Sequence, residues 1–353
     1  MMELEFRCTK MATKCPDDLG PLLDFLSHHK SSEIIAIIGK TEGNGLGNDY
    51  SRGLAVTSYR NILYNYGYKD ITLIMSGGTE GLICPHINII HKRERPLIDA
   101  YDSPRLSVGV ANTRILDCAE IGTLKQVELV AKAVHVAINK AAITDYNDVH
   151  FVQVKCPLVN GDMKSHKETQ AASPLTATQS MAHSRGASAL GVAVGLGELK
   201  LSDVPEHMIC ANFNIYSRFA SVSAGNELQY CEVVLFGNSK NTSGTQYIKS
   251  FLMEDMLDLS EVKTFIQDLS IQGHNIVQVF AKADPIDAIR GNRTTMYSDA
   301  DIQPTRHARS ALGGVLAATF SDCMLYVSGG AEHQGPQGGG VVAIIVDTRE
   351  ALI

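Results

Sequence analysis

The chain has 353 residues, 44% of them hydrophobic and 20% charged, with a formal net charge of −7; that is length for two or three domains and composition for a sizeable buried core. Its one basic run, HKRER at 91–95, reads as a solvated face or linker, so nucleic acid is not an expected partner. No apolar run is long enough for a helical membrane span, no signal peptide is expected in MMELEFRCTKMATKCPDD, and the eight cysteines form no C-x-x-C pair, which points to reduced thiols and a cytoplasmic setting.

In chain order, DLGPLLDFLSHH (18–29) reads as a helix and EIIAIIGK (33–40) as a strand ending on Lys40, because apolar and β-branched residues alternate there. YSRGLA (50–55) opens a helix with Arg52 in its first turn. DITLIMSGGTEG (70–81) is a strand running into a glycine turn that carries Ser76 and Gly77, and HINII (86–90) is a further strand. A turn-rich boundary is expected at 103–109, SPRLSVG. The same order then returns. LKQVELVAKAVHVAINKAA (124–142) is a helix, VHFVQVK a strand to Lys155, HSRGAS a helix start with Arg185, SVSAGNE a strand and turn with Ser223, and CEVVLF a strand. The polar stretch 161–180 reads as a surface insertion rather than a lid. After a second boundary at 238–245, SEVKTFIQDLS is a helix, NIVQVFAK a strand to Lys282, HARSAL a helix start with Arg309, VSGGAEHQG a strand and turn with Ser328 and Gly329, and GVVAIIV a strand. Arg306 competes with Arg309, but the H-x-R phrase favours Arg309.

A period this long is not a solenoid repeat. It implies an α/β protein of three homologous repeat units, 1–103, 108–238 and 245–353, arranged around a pseudo-threefold axis with one central active site. Each unit brings one Lys, one Arg and one Ser to the ends of regular elements. Single copies would pass as exposed strand ends and turn residues; three copies in one order argue for a shared purpose. The available chemistry is amide hydrolysis. A serine is a weak nucleophile until a base takes its proton, and a lysine serves as that base only when burial or neighbouring cations hold it neutral. Residues i and i+2 of a strand share a face. Glu42 follows Lys40 by two and Asp284 follows Lys282 by two, whereas Pro157 follows Lys155. Lys155 is therefore expected to be the neutral base that activates Ser223, with the other two sets binding substrate.

The phrases GKTEGNG, KCPL, MSGGTEG and VSGGAEHQGPQGGG resemble those of the cyanuric acid hydrolase/barbiturase family of ring-opening amidases, and the resemblance covers essentially the whole chain. It implies a three-unit α/β fold, a homotetramer, and a Ser–Lys dyad from the middle unit. It implies a flat cyclic imide as substrate, held by Arg52, Arg185, Arg309, Ser76, Gly77, Ser328 and Gly329 with Lys40 and Lys282 nearby. Cyanuric acid would be opened to carboxybiuret and then give biuret and carbon dioxide; barbituric acid, opened to ureidomalonate, is the alternative. The region from Thr305 through His307 to Arg309 is the first place to look for that choice. A non-catalytic binder of cyclic imides is the rival from another class. The resemblance further implies a structural Mg²⁺ or Ca²⁺, not needed for catalysis, with ligands at Asp284, Ala331, Gln334, Gly335, Pro336 and Gly339. The family commonly has Glu where this chain has Asp284.

GKT at 39–41 follows an apolar strand rather than a glycine loop, and GNGLG at 43–47 lacks the dinucleotide spacing, so neither reads as a nucleotide site. The twelve histidines show no zinc spacing; His183 and His307 read as packing residues at helix starts.

Overall fold

The computed structural model describes residues 2–30, 32–96, 103–160, 173 and 175–349. Its first sheet contains β1 (Met2–Ala12), β2 (Glu33–Thr41), β3 (Thr72–Gly77) and β4 (His86–Pro96), with α1 (Gly20–His28) and α2 (Tyr50–Asn65) between strands. The order across the sheet is β1-β4-β2-β3. β2 and β3 are parallel, while β4 runs antiparallel to both its neighbours. A parallel pair needs a long crossover, and α2 supplies it.

This plan is built twice more. The second sheet has β5 (Arg105–Asn112), α3 (Leu124–Lys140), β6 (Val149–Pro157), α4 (Ala177–Gly195), β7 (Ala220–Gly225) and β8 (Glu232–Ser239). The third has β9 (Gln246–Met253), α5 (Ser260–Ile271), β10 (Asn275–Ala283), a hairpin of β11 (Ala288–Ile289) and β12 (Asn292–Arg293), α6 (Pro304–Phe320), β13 (Tyr326–Gly329) and β14 (Gly340–Asp347). Strand orders are β5-β8-β6-β7 and β9-β14-β10-β13. Even the irregularity repeats: the register slips between Ile34 and Ala36, between Val149 and Phe151, and between Ile276 and Gln278, in each case six to four residues before the strand lysine.

Each sheet buries one face under its own helices. In the first, Leu22 and Phe25 of α1 and Ala55 and Tyr59 of α2 pack on Ile37 and Ile89. The other faces meet in a common core, where Phe6, Ile38 and Ile74 join Phe151 and Phe236 from the second sheet and Phe280 and Tyr326 from the third. Strands buried on both faces lose the alternation of a half-exposed strand, which is why the lysine strands read as near-continuous apolar runs.

Several sequence expectations need correction. The first strand of each sheet went unrecognised, and the turn-rich boundary expected at 103–109 is largely β5. The basic run at 91–95 is neither linker nor plain solvated face: it continues β4, where Arg93 and Arg95 lie 2.7 and 3.6 Å from the buried carboxylate of Glu5 on β1. Arg52 does sit in the first turn of its helix, but Arg185 lies mid-helix in α4 and Arg309 in the second turn of α6. The cause is capping: Thr176 and Gln179 form a reciprocal capping box that starts α4 well upstream, and Gln303 before Pro304 does the same for α6. Of the expected insertion at 161–180, residues 161–172 and 174 lie outside the described residues, and 177–180 already belong to α4. Among the described residues all eight cysteines are free thiols, and no helix is long and apolar enough to cross a membrane.

Candidate active site

The parallel pair in each sheet sets the site. Register places Lys40 beside Ser76, Lys155 beside Ser223, and Lys282 beside Ser328. Residues paired this way project to the same side of the sheet, so each lysine and serine share a face at the strand ends. Those ends converge: one small cavity is lined by Arg52, Arg185, Arg309, Ser76, Ser223 and Ser328 together with Gly45, Gly77, Ala224 and Gly329. All three arginines, all three serines and both predicted glycines are thus brought together. A roomier surface cleft lined by Arg60, Tyr68, Asn112, Tyr230 and Glu232 contains none of the recurring residues, so the chemistry points to the small cavity.

The lysines lie one layer behind. Lys40, Lys155 and Lys282 are at most 1% exposed and do not line the cavity. Their amines reach main-chain carbonyls, and two cross between units. Lys155 Nζ donates to Met75 O at 2.8 Å, and Lys282 Nζ to Val222 O at 2.7 Å; these carbonyls belong to the residues just before Ser76 and Ser223. Lys40 Nζ donates to Gly77 O at 3.1 Å. Burial lowers the proton affinity of all three. Lys40 is held well below the ordinary lysine range by burial and by Arg309, and Lys282 is brought to about 7 by burial and by Arg185.

The i+2 reasoning about the lysines holds only in part on this geometry: Asp284 does favour the charged form of Lys282, but the other two positions depart from it. β2 ends at Thr41 and β10 at Ala283, so strand alternation does not extend to Glu42 or Asp284. Glu42 is exposed and does not figure among the charges acting on Lys40. Lys155, expected to lack a carboxylate, has one: Glu227 Oε1 lies 2.8 Å from its Nζ. Burial and Arg52 lower the Lys155 pKa while Glu227 raises it, and the balance is downward.

Glu227 belongs to a set that the sequence reading did not assign, although it was printed in the recurring S-x-G-x-E phrase. Glu80 takes both Nε and Nη2 of Arg309, at 2.8 and 2.7 Å. Glu332 takes both from Arg185, at 2.8 and 2.6 Å. Each glutamate thus grips an arginine of another unit in the two-pronged geometry that suits a carboxylate. Glu227 stands 3.7 Å from Arg52 Nε. The glycine of the phrase has its reason here too. A Cβ on Gly78 would come within 2.5 Å of Arg309, and one on Gly330 within 2.8 Å of Arg185, at φ of +102° and +75°. Arg306, the competitor, also touches Glu80 at 3.1 Å but is 43% exposed and lies outside the cavity lining.

The hydroxyls differ. Ser328 Oγ is 3.3 Å from Lys282 Nζ, whereas Ser223 Oγ is buried without a hydrogen-bond partner among the described residues. Tyr326 is fully buried, and its hydroxyl has no hydrogen-bond partner of good geometry among the described residues although Ser76 and Ser223 lie close enough to act on it; Lys40 Nζ stands 5.8 Å from its ring centroid. Sequence gave no signal for this tyrosine beyond its place two residues before Ser328.

The residues expected to hold a metal gather in the loop from β13 to β14 and after β10. Asp284 Oδ2 accepts the Gly338 N–H at 3.0 Å, and burial pushes its carboxyl up to about 6. Gln334 Oε1 accepts the Val222 N–H at 2.6 Å, which ties this loop to the Ser223 strand. Among the described residues no three His, Cys, Asp or Glu side chains gather as metal ligands, so the expected ion would rest on Asp284 and main-chain oxygens. The Ala331 and Pro336 carbonyls already accept the Gln334 and Gly339 N–H groups at 3.0 Å, so of the expected ligands the buried Asp284 carboxyl, with one N–H donor, is the group that best fits a hard divalent cation.

Comparison with known proteins agrees over the whole length. The family described as amidohydrolase ring-opening protein matches residues 7–347. The cyanuric acid amidohydrolase of Rhizobium leguminosarum bv. trifolii is 43% identical over 342 residues, covering 95% of this chain and 96% of that one. A cyclic amide hydrolase of Azorhizobium caulinodans is 39% identical, covering 96% and 98%. Among solved structures, a cyanuric acid hydrolase from A. caulinodans superposes with a TM-score of 0.88 at 40% identity over 100% of both chains. A second cyanuric acid hydrolase, described as an evolutionary innovation by structural concatenation, gives 0.89 at 37% identity over 98% and 100%.

Proposed function

The chain belongs to the family of ring-opening amidohydrolases, and from that premise we propose that it hydrolyses cyanuric acid at the cavity where its three units meet about a pseudo-threefold axis. The observation that carries the reading is the lining itself: one arginine from a helix and one serine from a strand of each of the three units. Cyanuric acid is a flat ring with three carbonyls alternating with three N–H groups. Three guanidinium groups supply forked donors for ring oxygens, and three serine hydroxyls can accept from ring N–H groups.

Ser223 attacks a ring carbonyl carbon. Its hydroxyl proton passes to neutral Lys155, and the C–N bond breaks as that proton is delivered to the departing ring nitrogen. Water then attacks the acyl ester, giving its proton to Lys155, which passes it to Ser223 Oγ as the ester C–O bond breaks and carboxybiuret leaves; loss of carbon dioxide yields biuret. General base catalysis of this kind is typically worth about 10²–10⁴-fold, and Arg52, Arg185 and Arg309 stabilise charge developing on ring oxygens. Ser223 suits the role because its oxygen is uncommitted at the cavity wall.

A second assignment has its own support: Lys282, brought by burial to about 7 and so roughly half-deprotonated at pH 7, already contacts Ser328. Comparing Ser223→Ala, Ser328→Ala and Ser76→Ala decides. We expect Ser223→Ala to lose at least 10³-fold in kcat and to trap no acyl-enzyme, while the other two mainly raise KM. Turnover surviving in Ser223→Ala and vanishing in Ser328→Ala would transfer the role. Barbituric acid is the competing substrate, and parallel turnover of both rings measures the preference.

A structural Mg²⁺ or Ca²⁺ is held, in this reading, by Asp284 with main-chain oxygens of Ala331, Gly335, Pro336 and Gly339 and the Gln334 amide; it supplies charge that fixes the loop. Chelation should lower Tm, with Mg²⁺ or Ca²⁺ restoring it. The active assembly is a homotetramer, to be checked by light scattering.

A further inference from the structure

The three S-x-G-x-E glutamates occupy the same place in the phrase and do not do the same thing. Glu80 and Glu332 each close a two-pronged pair on an arginine. Glu227 leaves its arginine half-served. Arg52 donates to Leu46 O at 2.8 Å and to Ala224 O at 3.3 Å, and its Nε has no acceptor among the described residues. The carboxylate of Glu227 lies against Lys155 instead, 2.8 Å from Nζ.

Counting acceptors around that amine is informative. A neutral amine has two N–H bonds and one lone pair. Met75 O, at 2.8 Å from Nζ, takes one N–H as a hydrogen bond, and Glu227 Oε1 stands equally close as an ion-pair contact without hydrogen-bond alignment. The amine is thus held between these two oxygens, and Ser223 is the register partner of Lys155 on the same face. Lys40, with a single carbonyl partner at 3.1 Å, has no such constraint.

Resting on the reading that Ser223 and Lys155 react together, we propose that Glu227 is a positioning residue that aims the Lys155 lone pair at Ser223, a duty its two counterparts do not share. Lys155 is faced by Arg52 from α2, by Glu227 from the turn after β7, by Glu232 from β8, and by the adjacent Cys156 thiol. Of these, Glu227 is the carboxylate in contact. It also favours the charged amine, so the site trades some neutral base for its orientation.

The test is the pH dependence of kcat/KM for cyanuric acid in single variants. Glu227→Gln keeps an oxygen acceptor but removes the charge. Lys155 should then lose its proton more easily, and the acid limb should move down by one pH unit or more, within the one to three units expected for an adjacent opposite charge. Glu227→Ala removes the acceptor as well and should lose about 10²-fold or more in kcat on the plateau. Glu80→Gln and Glu332→Gln should raise KM and leave the limb in place. Should Glu227→Gln not fold, Glu227→Asp keeps the charge beside Arg52 but withdraws it from Lys155, and the limb should again move down. If the Glu227 variants raise KM alone, as their counterparts do, Glu227 is a third arginine clamp and the proposal is wrong. Failure of the dyad reading looks different: activity would then persist in Ser223→Ala.

Discussion

Lys155 and Glu232 are register partners on β6 and β8, and the pair shows what a buried charge costs at residue scale. Glu232 is 4% exposed, and burial pushes its carboxyl up to about 7. A carboxyl whose folded pKa exceeds its unfolded value destabilises the fold as pH rises from about 4.5 to about 7. Glu232→Gln should therefore stabilise the protein at pH 8, on the order of 3 kcal/mol, and have little effect at pH 4; thermal melts at the two values check it. The residues that recur as phrases were legible in the sequence, because repetition marks position without any knowledge of contacts. Arg52, Arg185, Arg309, Ser76, Ser223 and Ser328 all reach one cavity for that reason. The charge state of a buried lysine was not legible. It depends on Glu227, which arrives from a different turn and lies 72 positions away only along the chain.

At the scale of elements, α4 carries Arg185 to the cavity and must dock closely on α3. A Cβ on Gly191 would stand 2.7 Å from Val130 Cβ, and one on Gly195 would stand 2.8 Å from Val134 Cβ. Gly191→Ala should gain roughly 1 kcal/mol of helix propensity and lose about 1–3 kcal/mol to overpacking. The net expectation is a lower Tm and, because Arg185 shifts with its helix, a raised KM. An unchanged KM would mean that α4 absorbs the strain without moving its arginine. Sequence period identified the lysine strands and the long helices, since their apolar patterns are strong. It missed β1 because charged residues such as Glu3, Glu5 and Arg7 interrupt it, β9 because Lys249 does, and β5 because Ser103, Pro104 and Gly109 read as a turn. It also misplaced the starts of α4 and α6, where a cap several residues upstream, not the arginine phrase, sets the first turn.

Across the whole molecule, the shared core makes the three sheets interdependent. Phe151 stacks on Phe280 at 4.9 Å, and both lie within 6.0 Å of Phe236, so two sheets contribute to one aromatic cluster. Phe280→Ala should cost about 3–5 kcal/mol and lower activity in parallel with folded fraction, measurable by denaturant titration. The ends are joined as well: Asp347 on β14 pairs with Arg7 on β1 at 2.9 Å and with Arg349 at 2.8 Å. Burial opposes this, yet the arginines hold the carboxyl well below the usual range. A depressed carboxyl stabilises above its unfolded pKa of about 3.9 and loses that contribution as pH falls below it. Asp347→Asn should therefore flatten part of the acid unfolding slope below about pH 4 while costing stability at pH 7.

The sequence by itself determined the repetition, the α/β character, and which side chains would be presented at strand and helix ends, because those follow from local pattern and from one phrase written three times. Only the tertiary structure decided who partners whom. Glu80 serves Arg309, Glu332 serves Arg185, and Glu227 turns to Lys155, since electrostatic partnership depends on distance through a packed interior and not on spacing along a strand.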